Sequence, residues 1–307
     1  MSTEVVETSI PQGSEYHYYR SKDRKPLSSL PAEDVESITV AIKKILKSVE
    51  AQKTLPILID GEGSLDERSW ETSLAQPPEI SSSTLMKYSK EVDKYDWKEL
   101  PVNSKILEEY TSAPANSSYK KHRLLEIILT AVHHLAIDLY SVHHPPPKIN
   151  TADLLPPPPY PVIAHTQYYA SKPWKGIYDL KAIGFWAEAQ LFGGVVYFDR
   201  SHVPTSAEET GSYDGVWLHG LPNTYTDSLW KVPDEVVAAT IDEASLPFDI
   251  ENAKHPPLLT LQEGQEKHSI FREPHLANRG TYTGDGGEDV GMTAEEYEEW
   301  TKSRTTA

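Results

Sequence analysis

Two carboxylates, Glu188 and Asp199, flank a Gly193-Gly194 pair in the run AEAQLFGGVVYFDRSH. Read as a two-residue hairpin loop, the glycines set Gln190 opposite Tyr197 and Glu188 opposite Asp199. Side chains alternate along a strand, so Trp186, Glu188, Gln190, Tyr197 and Asp199 would share one face. Like charges placed directly opposite destabilise a sheet. If that face is covered, one carboxyl takes a raised pKa and serves as a general acid beside its ionised partner. The pair would also suit a cation or an incoming arginine. One functional expectation is therefore an acid/base pair, Glu188 and Asp199, above a floor of Trp186 and Tyr197, acting on a small metabolite without a cofactor. Two other readings of the same residues stay open. A three-residue loop puts Glu188 opposite Phe198, and Ala187 to Gln190 are acceptable in a helix closed by Gly193.

Other chemistry is thinner. His134 and Asp138 stand four apart on one predicted helix face, as two metal ligands would, with His143 and His144 close behind. No third ligand is identifiable and HExxH is absent, so no metal is expected. Walker, GxGxxG and GxSxG patterns are missing, which argues against a glycine-loop nucleotide site and an ordinary serine hydrolase. The chain contains no cysteine, which excludes disulfides, thiolate metal sites and cysteine nucleophiles.

Two elements suit docking. Pro157-Pro158-Pro159-Tyr160 fits PPxY, the WW-domain ligand pattern, which exploits preformed polyproline II. A rigid spacer explains the same prolines. Near the C-terminus Tyr297 and Trp300 lie one helical turn apart among glutamates and offer an aromatic edge to a basic protein surface. These features make a non-catalytic binding or adaptor protein the leading expectation. Pro157, Pro158, Tyr160, Tyr297 and Trp300 are its binding residues, together with Trp186 and Tyr197.

The formal charge of −17, from 46 acidic against 29 basic residues in 307, opposes nucleic acid and anionic membranes as partners and favours a basic one. No basic segment leading into an apolar run opens the sequence, so an intracellular, cytoplasmic or nuclear location is expected. A low hydrophobic content of 38% with 24 prolines predicts a folded centre with loose ends.

The elements that must position these residues fall into five regions. Residues 1–30 lack periodicity. Residues 31–142 are mainly helical, because Val35, Ile38, Ile42, Ile45 and Val49 recur at helical spacing after Pro31. In the same region Ser118 to Ser141 reads as a buried central helix, apolar on two faces, and LPILIDGEG as a short strand. Residues 143–161 hold eight prolines in nineteen positions and form a linker. Residues 162–277 alternate in short runs, AIGFWAEAQLF, VVYFDR, GVWLHG and TYTDSLWKV, and read as β-rich and mostly antiparallel. A short helix at PDEVVAATIDEA and a strand at PPLLTLQEG close that region, and residues 278–307 form an acidic tail. The fold class expected is α+β, a helical N-terminal half packed with a β-rich C-terminal half.

GFWAEAQLFGGVVYFDRS, GVWLHG, TYTDSLW and PPLLTLQEGQEKHSIFREP resemble a block pattern of uncharacterised proteins of filamentous fungi. The resemblance covers the second half, implies a shared β-rich unit, and transfers no functional residue.

Overall fold

The computed structural model describes residues 23–60, 79–144, 181–200, 215–219, 228–248 and 259–272. The first half is helical. After β1 (Arg24–Pro26) come α1 (Ala32–Leu46), α2 (Val49–Thr54), α3 (Ile57–Asp60) and α4 (Ser82–Lys94). Then follow β2 (Pro101–Asn103), α5 (Ser104–Ser112) and the long α6 (Ser118–His143). The apolar spacing after Pro31 does produce a helix, with Val35, Ile38, Ile42 and Ile45 buried and Pro31 at its N-cap. LPILID is not a strand: its Ile57–Asp60 portion is a single helical turn, α3. An apolar run this short carries no period that separates the two structures.

Helix α6 is the centre of the molecule. Its Ser117 cap accepts a hydrogen bond from the Lys120 N–H, and Leu125, Ile128, Val132, Leu135 and Leu139 are buried with residues on both neighbouring faces. By length and hydropathy alone this helix would suit a membrane span, yet α1, α3, α5 and later helices pack around it.

The second half adds α7 (Lys181–Phe192), β3 (Val195–Asp199), β4 (Val216–His219), β5 (Ser228–Val232), α8 (Asp234–Glu243), β6 (Leu259–Thr260), α9 (Leu261–His268) and β7 (Ile270–Phe271). Five strands form one sheet in the order β6-β5-β4-β3-β7, every neighbouring pair antiparallel. The fold is α+β, helical first and with its main sheet in the second half. Of the predicted strand at PPLLTLQEG, the described part holds the two residues of β6, Leu259 and Thr260. Thr260 then caps α9 through a reciprocal capping box with Glu263, which turns the chain into a helix.

The largest departure is at AIGFWAEAQLF, which is α7 and not a strand. Gly193 takes φ +85° and its N–H bonds to the Ala189 carbonyl at 3.0 Å, closing the helix as a left-handed cap. A Cβ on Gly194 would stand 2.7 Å from Leu218 and 2.9 Å from the His219 carbonyl, so glycine lets the backbone pass directly against β4. The hairpin pairing of Glu188 with Asp199 therefore does not form. The partner of β3 is β4, with Tyr197 opposite Trp217 and Phe198 opposite Val216.

The sheet is covered on both faces. Val196, Phe198, Val216, Leu218 and Val232 join the main core with α1, α6 and α7. Val195, Tyr197, Trp217, Leu229 and Ile270 form a second cluster with Ala189.

Helix α8 ends on Ala244 at φ 56°, ψ 38°, a left-handed conformation that opposes an L side chain by about 1–2 kcal/mol. Ala244→Gly should therefore raise stability by about 0.5–1 kcal/mol after the greater unfolded-state freedom of glycine is subtracted. Chemical denaturation reads this directly.

A candidate site in a buried arginine and glutamate lattice

Helix α7 carries Glu188 into the interior, where its carboxylate is fully buried. Arg272, just beyond β7, donates from Nη2 to Glu188 Oε1 at 2.7 Å. His133 on α6 lies 3.2 Å from the same oxygen through Nδ1. An ionised carboxylate can only accept, so His133 Nδ1 carries the proton of that bond. Burial pushes the Glu188 carboxyl upward, but Arg272 and His133 outweigh it and hold the group below its ordinary pKa.

A second set of charges lies beside the first. Arg123 on α6 places Nη1 2.9 Å from Glu109 Oε2 of α5 and 3.1 Å from Glu126 Oε2 one turn along its own helix. Arg200, the residue after β3, donates from Nη2 to Glu126 Oε1 and to the Arg272 carbonyl, the latter at 2.9 Å. The Phe198 ring lies under both guanidiniums, with Cζ of Arg123 and Arg200 at 5.2 and 5.6 Å from its centroid. Arg123, Glu126 and Arg200 are each 3% exposed or less. Through Arg200 and the Arg272 carbonyl the two sets become one lattice that ties α5, α6 and α7 to the ends of β3 and β7.

The α6–α7 crossing sets the geometry. A Cβ on Gly184 would stand 2.4 Å from three atoms of the His133 ring, so only glycine lets α7 approach closely enough for Glu188 to meet His133. Phe185 packs edge-on to that ring at 4.9 Å.

The residues expected to act together are distributed differently. Trp186 belongs to the main core and Tyr197 to the second cluster, so they do not form one pocket floor. Asp199 is buried on β3, opposite Ile270, and alternates to the Tyr197 face. The raised carboxyl pKa expected of a like-charge pair is replaced at Glu188 by a lowered one. Pro157, Pro158, Tyr160, Tyr297 and Trp300 lie outside the described residues.

His134 and Asp138 take separate partners. His134 Nε2 accepts from Arg24 Nη1 at 3.3 Å, and burial, aided by Arg24 and His133, holds the ring well below its ordinary pKa. Asp138 accepts from the Tyr95 hydroxyl at 3.1 Å. Among the described residues no group of three or more ligand-type side chains is placed to hold a metal ion.

Burial raises the Asp138 carboxyl to about 6, against a smaller opposing effect of the Tyr95 hydrogen bond. A raised folded-state pKa gives a stabilisation that is complete below the unfolded value and lost as pH rises through about 6. Asp138→Asn should therefore flatten the fall in melting temperature between pH 4 and pH 7, which scanning calorimetry across that range (roughly one to two unit steps) measures.

Residue patterns alone missed Arg123, Glu126, Arg200 and Arg272. A usable signal existed: Glu126 stands inside RLLEIIL and Glu188 inside WAEAQLF, and a charge within a buried apolar run requires a partner. Set against family models, curated proteins and solved structures, the chain matches none.

Proposed function

We propose that this is an intracellular, non-catalytic binding or adaptor protein, a rigid α+β core that carries the Pro157-Pro158-Pro159-Tyr160 segment and the acidic aromatic tail. The observation that supports this reading is the commitment of Glu188. Arg272 and His133 occupy one of its oxygens and keep it ionised, so it serves as an internal counter-ion and is poorly suited to deliver a proton. The alternative, a cofactor-independent enzyme acting on a small metabolite through Glu188 and Asp199, loses its acid and its paired geometry.

The partner the PPxY segment fits is a WW-type domain, whose aromatic groove takes a polyproline II ligand. The tail, with Tyr297 and Trp300 among glutamates, fits a basic protein surface. Titration of the full chain into a fluorescently labelled WW domain tests the first contact. Saturable binding that Tyr160→Ala abolishes supports the reading. Equal binding by Tyr160→Ala, or none by the parent, overturns the PPxY contact. Removal of residues 285–307 should weaken capture of a basic partner in a salt-dependent way.

A further inference from the structure

Helix α4 presents an outward face that contrasts with the acidity of the chain. At helical spacing Met86, Lys87, Lys90 and Lys94 share one arc, opposite the buried Thr84, Tyr88 and Val92. Tyr88 anchors the helix, its hydroxyl donating to the Leu46 carbonyl at 2.7 Å. All four residues of the arc are exposed, and Met86, at 69%, is the most exposed large hydrophobic side chain among the described residues. The two carboxylates of the helix stand at the edges of the arc. Asp93 is taken by Lys47 of α1 at 2.8 Å, and Glu91 is half-buried. Even with Glu91 set against the three lysines the arc is net positive, on a chain of formal charge −17.

The complement of that arc is in the same chain. Residues 285–300 hold seven carboxylates and no basic residue, and four of the carboxylates, Glu295, Glu296, Glu298 and Glu299, surround Tyr297 and Trp300. Lysines around a methionine thus meet glutamates around two aromatic rings, which matches charge to charge and gives the thioether a ring to contact. The connection is long enough. About 25 residues separate Arg272 from Tyr297 and span about 80 Å when extended, against a width of about 40 Å for a core of this size.

We propose that the acidic aromatic tail docks on the Met86, Lys87, Lys90 and Lys94 face of α4 in its own chain, and that a basic partner must displace it from there. The inference rests on the reading of the tail as a docking element and adds its regulation. A tethered segment meets its site at an effective concentration of up to about millimolar, so individually weak contacts suffice to hold it. Exposed ion pairs of this kind are each worth little and are screened by salt. A basic surface on another protein must therefore bind the tail more strongly than α4 does, which sets a threshold on capture.

The test is cross-linking of the full chain with a water-soluble carbodiimide, which joins a carboxylate to an amine only where the two touch, followed by peptide mass spectrometry. An equal mixture of ordinary and heavy-isotope chains separates contacts within one chain from contacts between copies. The expected result is linkage of the tail glutamates to Lys87, Lys90 or Lys94 within single isotope classes, lost in about 1 M sodium chloride, where the Debye length is about 3 Å. Tail glutamates linked elsewhere or to nothing, these lysines linked to Glu62, Asp66, Glu67 or Glu71 in place of the tail, or links between isotope classes alone overturn the proposal. Capture of a lysine-rich peptide by the full chain reads the regulation. Met86→Ser combined with Lys90→Gln should strengthen capture several-fold, and the gain should vanish when Tyr297→Ser and Trp300→Ser are added. A gain of equal size in that background overturns the competition, because the changes on α4 then act on the peptide directly. The basic-partner reading fails separately, when loss of residues 285–307 leaves capture unchanged.

Discussion

Glu126→Gln should cost about 3–5 kcal/mol of folding stability, the range found when one partner of a buried ion pair is removed. Glu126 is fully buried and answers two arginines, Arg123 through Oε2 and Arg200 through Oε1. The amide is nearly isosteric, so packing in α6 is preserved and the loss isolates the charge. Arg200 would then lose its carboxylate partner, and Arg123 would keep Glu109 alone, which is itself drawn toward Lys105. Loss of this size is a large part of the stability of an ordinary domain. Urea denaturation followed by circular dichroism measures it, and a change below about 1 kcal/mol would mean that the arginines find other partners.

Gly184→Ala should cost a comparable amount although it adds a single methyl group. The new Cβ would meet three His133 ring atoms at 2.4 Å, a separation at which the ring or the helix must move. Overpacking of a core commonly costs about 1–3 kcal/mol. Here the ring that must move also donates to Glu188, and a hydrogen bond to a charged group is worth about 1.5–3 kcal/mol. The combined loss is about 3–5 kcal/mol. His133→Ala should remove the clash, so that Gly184→Ala costs much less in that background. Non-additivity of this kind, read by the same denaturation experiment on the four proteins, marks a direct contact.

The parts of the fold that could be read from the residues are those with a period. Helices α1, α6 and α8 announce themselves by apolar spacing and by capping positions, and β3, β4 and β5 by short alternating or continuous apolar runs. Helix α7 hides because it is buried on nearly every side, with Ile183, Trp186, Ala187, Ala189, Leu191 and Phe192 all inside. A helix enclosed in this way has no polar face to set a phase. A glycine pair then reads equally well as a hairpin loop or as a helix cap followed by a close approach. The choice was made by tertiary contacts, Gly194 against Leu218 and Gly184 against His133.

The site was legible in half. Glu188 stands out as a charge in an apolar run, and a carboxylate so placed must be answered. What answers it is Arg272, 84 residues further along the chain. Its arrival depends on β7 pairing with the far end of β3, and no local spacing encodes that. A nearby carboxylate, Asp199, was the visible partner, whereas a distant arginine is the real one. The consequence is a reversal of sign. A paired carboxylate of like charge would gain from conversion to an amide, and one held by a guanidinium loses.

Buried ion pairs give less net stability than their geometry suggests, because desolvation offsets much of the attraction. Their effect here is better described as positional. Apart from the Arg123–Glu126 pair within α6, the bonds of the lattice join different elements, so the arrangement of α5, α6 and α7 against the sheet is specified at one corner by charge as well as by packing.

The most direct test of this account is a double-mutant cycle at Glu188 and Arg272, with Glu188→Met, Arg272→Met and the double variant unfolded in urea at neutral pH. The account predicts that each single change costs about 3–5 kcal/mol and that the double costs far less than the two together, because it leaves no unpaired charge. A companion series with Glu188→Gln fixes the sign. A depressed folded-state pKa contributes stability above the ordinary carboxylate value that is lost as pH falls through the folded one. The gap between parent and Glu188→Gln should therefore be widest at neutral pH and close in strong acid. Greater stability of Glu188→Gln than of the parent at neutral pH, or additive single changes, would contradict the account and restore Glu188 as a strained acid.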